Sequence, residues 1–186
     1  MASIITATTT SGLTQSADNS GVLQLASGTG NLVTVPSVTG TAMVSGNMPA
    51  FSAYRGSGGQ QSITSQVWTK VQLNTENFDT ANCFDSTTNY RFTPQVAGYY
   101  QFNMQISIAT TTCNIIPTLY KNGTAYIRSS NLQTTSESVS GSWMVYLNGS
   151  TDYVELWASI STGQGLSTGI SNSSRTNLQG FLVRTA

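Results

Sequence analysis

The chain has 186 residues, enough for one main domain and an appendage, and only 8% of them are charged against 38% hydrophobic. Seven Lys and Arg balance seven Asp and Glu, so no basic stripe invites nucleic acid, and no apolar run is long enough to span a membrane. The absence of His removes the commonest general base and metal ligand.

Residues 1–48 carry one charge, Asp18, and no Phe, Tyr or Trp. They are rich in Ser, Thr and Gly, with short β-prone pieces at Ser3–Thr9, Val22–Leu25 and Leu32–Val35. None of these can bury a core, so the segment is expected to be an extended arm, ordered by packing against sister subunits or a partner. No basic n-region or apolar h-region opens the chain, so a secretion signal is not expected.

From Met48-Pro49 the aromatics and most charges appear. Val67–Leu73 reads as a strand, and Thr75–Asn89 as one long polar loop. The run YRFTPQVAGYYQFNMQI follows from Tyr90. From Tyr99 it alternates strictly: Tyr100, Phe102, Met104 and Ile106 point one way, Tyr99, Gln101, Asn103 and Gln105 the other. That period of two predicts a strand with one face in a core and the other against water or a polar neighbour. Pro94 belongs to the link before it, and Gly98 to a bend or close backbone approach.

Ile115–Tyr120 and Ala125–Ser129 flank Asn122-Gly123, a strong hairpin signal, and Trp143–Leu147 and Val154–Ile160 flank Asn148-Gly149. Leu178–Arg184 is expected to be the closing strand. With no helical period, the chain is predicted to be an all-β sandwich or barrel.

Residues 49–186 resemble the globular head of complement C1q, in the tumour-necrosis-factor-like jelly-roll superfamily. The opening Pro49-Ala50-Phe51-Ser52-Ala53-Tyr54-Arg55 is similar to that family's first strand. Trp68 and Asn74 sit where it tends to have an aromatic, then an asparagine. Phe92, Gly98, Tyr100 and Phe102 match its strongest motif, Lys121-Asn122-Gly123 its middle hairpin, Asp152-Tyr153-Val154 a later strand and Gln179-Gly180-Phe181-Leu182 its last. Phe51, Phe92, Gly98, Tyr100, Phe102, Gly180 and Phe181 are thus the family-motif core. Two departures touch the loops: Thr151 replaces a glycine before Asp152, and Tyr90 stands where the family often has glycine. The resemblance implies a jelly-roll homotrimer, with the polar side of Tyr99–Ile108 against a sister subunit.

Asn31–Thr41 resembles short β-repeats in structural proteins of tailed bacteriophages. The two resemblances together lead to an expected function: a virion protein whose arm, residues 1–48, holds the major capsid protein or another virion protein. Its jelly roll would decorate or cement the head as a knob. The alternative is a tail or fibre tip that recognises a host surface glycan or protein through loops such as Ser130–Ser140 and Thr162–Ser174. A secreted or spore-surface bacterial protein is a third reading, which the missing signal disfavours.

No enzyme or cofactor is expected, because no acid pair or nucleophile stands in a catalytic motif. Glu76, Asp79 and Asp85 are the candidate calcium ligands, set against a plain solvated loop, since some members of the resembled family bind that ion. Ser57-Gly58-Gly59 lacks the Lys of a phosphate loop and reads as a turn, and Gly163–Gly169 as a loop. Tyr126, Trp143, Tyr153 and Trp157 are candidates for stacking on sugars, with Arg128 and Arg175 for anionic ones; each is weighed against a place in the core, an interface or solvent. Cys83 and Cys113 lack metal-site spacing and are read as free thiols, and the three Asn-X-Ser/Thr tripeptides as turns.

Overall fold

In the computed structural model, residues 23–26, 32–35, 43, 46, 48–56, 58–108, 113–129, 132–134, 138–161, 168–170 and 173–186 are described. Contacts divide the chain into two units, Met1–Thr41 and Ala42–Ala186. In the first, β1 (Leu23–Ala26) pairs antiparallel with β2 (Leu32–Val35). The strand expected at Ser3–Thr9 lies outside the described residues.

The strands of the second unit among the described residues are β3 (Ala50–Arg55), β4 (Gln61–Ile63), β5 (Thr69–Lys70), β6 (Thr75–Asp79), β7 (Phe84–Asp85), β8 (Arg91–Phe92), β9 (Gly98–Ser107), β10 (Cys113–Lys121), β11 (Thr124–Arg128), β12 (Leu132–Thr134), β13 (Ser138–Leu147), β14 (Val154–Ser161), β15 (Thr168–Ile170) and β16 (Ser173–Thr185). One sheet runs β13-β9-β16-β3-β6. The other runs β11-β10-β14-β8-β7, with β12 on β10 and β5 on β14. All pairings are antiparallel, and β4 pairs with β15 as a small separate ladder. This is the jelly-roll sandwich of two packed sheets.

Alternation builds the core. Tyr100, Phe102, Met104 and Ile106 of β9 are buried, as are Ile115 and Leu119 of β10 and Leu156, Ala158 and Ile160 of β14. An aromatic cluster joins the sheets: the Phe51 ring stacks on Phe92 at 4.5 Å and on Phe84 at 4.9 Å, while Phe92 meets Phe102 edge-on at 5.9 Å. Tyr100 packs edge-on against Phe92 and donates its hydroxyl to the Val96 carbonyl at 2.7 Å, so its polar tip is satisfied inside the core. Gly180 makes room for the cluster: a Cβ there would lie 2.7 Å from the Phe102 ring and 2.8 Å from Phe51.

The structure differs from the sequence expectation at four places. Thr75–Asn89 is not one loop, because β6 pairs with β3 and β7 with β8. Val67–Leu73 is mostly not strand: only Thr69–Lys70 enters a ladder, while Val71 and Leu73 are buried in irregular backbone. Within Gly163–Gly169, residues 168 and 169 belong to β15. Of the supposed loop Ser130–Ser140, β12 and the start of β13 are strands.

Gly180→Ala is expected to lower stability by about 1–3 kcal/mol through overpacking against Phe102 and Phe51. Equilibrium denaturation at fixed protein concentration measures this; an unchanged midpoint would show that the cluster yields without cost.

Candidate interaction surface

The opposite faces of the two sheets are built from the residues that alternation turns outward. On the five-stranded sheet, register sets them in rows. Tyr146, Tyr99 and Arg184 form the first; Met144, Gln101, Phe181 and Ala50 the second. Ser142, Asn103, Gln179 and Ser52 form the third, and Ser140, Gln105, Asn177 and Tyr54 the fourth. The face is thus apolar at one end and amide and hydroxyl at the other.

In the apolar half, Tyr99, Met144, Tyr146, Phe181 and Val183 are between 40% and 54% exposed, and the Tyr99 and Tyr146 rings lie 5.5 Å apart. Phe181, expected in the family-motif core, is therefore on the surface. Its neighbour Gly180 takes the inward position, and adjacent residues of a strand leave opposite faces. In the polar half the side chains bind one another: the Gln101 amide donates to Ser142 Oγ at 2.7 Å, and Ser142 donates to Asn103 Oδ1 at 2.9 Å. A groove of about 500 Å³ runs among Asn103, Gln105, Ser140 and Gln179.

The edges of the sheets are stitched by polar contacts. Asn122 and Gly123 both have positive φ, 52° and 77°, as a tight two-residue hairpin requires. The Asn122 side chain accepts the Tyr153 N–H at 3.0 Å and donates to Asp152 Oδ1 at 2.7 Å. Lys121 Nζ pairs with Asp152 Oδ2 at 2.9 Å, donates to the Tyr146 carbonyl, and lies 5.7 Å from the rings of both Tyr126 and Tyr146. Asn148 Oδ1 accepts the N–H groups of Ser150, Thr151 and Asp152, closing the next turn. Thr151, where the family has glycine, is thus held by its amide. Tyr90, the other departure, has φ 52°, a backbone region that glycine enters freely.

Of the three acidic candidates, Glu76 and Asp85 border one groove and Asp79 does not. Asp79 accepts the N–H groups of Ala81 and Phe84, and Asp85 those of Thr87, Thr88 and Asn89. Glu76 is exposed on the edge strand β6. Among the described residues, no group of three or more His, Cys, Asp or Glu could hold a metal ion. Cys83 and Cys113 are both buried and are not in a disulfide, and burial pushes the Cys83 thiol up from its ordinary pKa.

Of the sugar-stacking candidates, Trp157 stacks on Tyr120 at 4.4 Å and donates its indole N–H to the buried Glu155, which also pairs with Lys70 at 2.7 Å. Trp143 packs partly against the core, and Tyr126 is exposed. Arg128 lies over Trp68 and Arg91 over Tyr153, at 4.6 and 4.4 Å. Arg175 is exposed on β16.

Two carboxylates titrate abnormally. Backbone N–H donors, the Thr88 one foremost, hold Asp85 well below the usual carboxylate range. Burial pushes Asp152 up, but the Asn122 amide, the Lys121 ammonium and the Asn148 N–H outweigh it, and its pKa is lowered. A depressed folded pKa means stability that is complete above the unfolded value of about 3.9 and lost as pH falls from there through the lower folded values. Asp85→Asn with Asp152→Asn should therefore reduce stability at pH 7 and flatten its decline on acidification, read as denaturation midpoints between neutral and acid pH. An equally steep decline would place the acid sensitivity elsewhere.

The family model for the C1q domain matches residues 50–183. Among curated proteins none matches the sequence. Solved structures similar in fold include the Eiger TNF of S. frugiperda, 9% identical with a TM-score of 0.51, covering 75% of this chain and 95% of that one. Murine APRIL is 12% identical with a TM-score of 0.51, over 73% of this chain and 98% of that one. The PRD1 vertex protein P5 is 14% identical with a TM-score of 0.51, over 92% of this chain and 86% of that one. The matched residues span both sheets and the aromatic cluster between them, and the chain belongs to the C1q domain family.

Proposed function

We infer that this protein is a virion structural protein of a bacteriophage, a homotrimeric knob that decorates or cements the capsid. The observation that carries the self-association is the apolar half of the five-stranded sheet's outer face, where Tyr99, Met144, Tyr146, Phe181 and Val183 stand together. Large exposed apolar groups gathered on one side of a soluble domain mark an association site. Domains of the C1q and tumour-necrosis-factor type form trimers, and a closed ring of three uses such a face without further growth.

The virion location is supported by the likeness to the vertex protein of phage PRD1, which covers more of this chain than the C1q domain alone. Residues 1–48 are the anchoring arm in this reading, and residues 49–186 the head. The arm holds the major capsid protein or another virion protein. The trimer acts mechanically, adding buried area where capsid subunits meet. Neither an active site nor a cofactor is needed for such a role.

Three measurements test this. Phe181→Asp should convert the trimer to monomers at micromolar concentration in sedimentation equilibrium, with the β-rich circular dichroism retained. An unchanged mass would remove this face from the interface. Deletion of residues 1–48 should leave a folded trimer that no longer binds heads, and immunogold against the C1q domain should decorate capsids. Gold confined to tail tips would favour the receptor-binding role.

A further inference from the structure

We propose that a groove of about 670 Å³ at the β7–β8 end of the sandwich binds an acidic saccharide through Arg91. Its walls include Glu76, Asp85, Thr87, Arg91, Gln95 and Ser150; the Glu76 carboxylate is exposed to solvent on β6, and Arg91 is the one cation in the lining among the described residues. That volume falls within the range of small-ligand sites.

The guanidinium is the centre of the site. Asp85 is the register partner of Arg91, so an ion pair between them is the expected arrangement. It does not form. Asp85 Oδ1 is taken by the Thr87 N–H, the Thr87 hydroxyl and the Thr88 N–H, and Oδ2 by the Asn89 N–H and side-chain amide. Across the ladder Glu155 is also the partner of Arg91, yet it is engaged by Lys70 and Trp157. Among the described residues Arg91 therefore has no ion pair. Its guanidinium lies 4.4 Å from the centre of the Tyr153 ring, and the side chain borders the groove.

A planar fork of N–H donors is matched best by a carboxylate. The surrounding hydroxyls and amide of Thr87, Thr93, Gln95 and Ser150 supply both donors and acceptors, as a polyhydroxylated ring requires. The walls are also stiff, because the Asp85 carboxylate clamps 87–89 and the Asn148 amide clamps 150–152. None of the six named walls lies in the apolar rows of the other sheet.

The test is titration of the full-length protein at pH 7 with sialyllactose and with trigalacturonate, with lactose as the uncharged control, followed by calorimetry or ligand-observed NMR. At least one acidic sugar should bind with a Kd of about millimolar or tighter, and lactose about tenfold more weakly or not at all. Arg91→Gln should weaken that binding about tenfold or more. Arg128→Gln, which removes a cation elsewhere on the same sheet, should leave it unchanged. Gln95→Trp fills the groove from an exposed position and should abolish binding; it decides the matter alone if Arg91→Gln does not fold. Sialyllactose or trigalacturonate binding singly identifies the kind of acid sugar. The proposal is overturned if neither acidic sugar binds, if lactose binds equally well, or if binding survives Gln95→Trp.

Discussion

The contact on which the molecule depends is the stack of Phe51 on Phe84 and Phe92 of the facing sheet, closed by Tyr100 and Phe102 from the sheet of Phe51. Three of these rings come from the five-stranded sheet and two from the other, so the cluster sets the spacing between layers. Gly180 stands in register between Phe51 and Phe102 and gives the rings their space. Once these rings are inward, a period of two turns Tyr99, Gln101 and Phe181 outward. The exposed apolar face is thus the reverse side of the core rather than a separate invention.

Few ion pairs hold this structure; two are present among the described residues. Order in the turns comes instead from side-chain oxygens that take backbone N–H groups: Asp79, Asp85, Asn122 and Asn148. Each satisfies donors that a turn leaves unpaired. The same economy has a chemical result at Arg91. A carboxylate committed to its own loop cannot serve the arginine beside it.

Much of the fold was legible because its signals are local. The alternation of Tyr99–Ile106, the Asn122-Gly123 turn and the family motif lie within short windows. Polar edge strands were not legible. Thr75–Asp79 offers only one apolar side chain, Phe78, and pairs because β3 lies beside it. Val67–Leu73 erred the other way: Val71 and Leu73 are buried while Val67 is exposed, and only two of its residues join a ladder. The surface was half legible. Tyr99 and Gln101 were seen to face away from the core, yet Tyr146, Met144 and Phe181 join them only through register between strands distant in sequence. The acids of 76–85 looked alike in the sequence and differ in the structure by which N–H groups they meet.

Strand β9 matches β13 without a break over ten residue pairs, from Gly98↔Leu147 to Ser107↔Ser138. Its other neighbour, β16, carries a register shift between Leu182 and Arg184, and another against β3 between Ser173 and Asn177. The two sides of the sheet therefore differ in how they receive length changes. A single residue inserted into β9 or β13 would invert every side chain beyond it, carrying Phe102 or Val145 to the surface and amides into the core. In β16 the irregular points already absorb such slack. An inserted or deleted residue is therefore expected to be tolerated better in that last strand and in the turns than in the β9–β13 pair, which can change only by substitution.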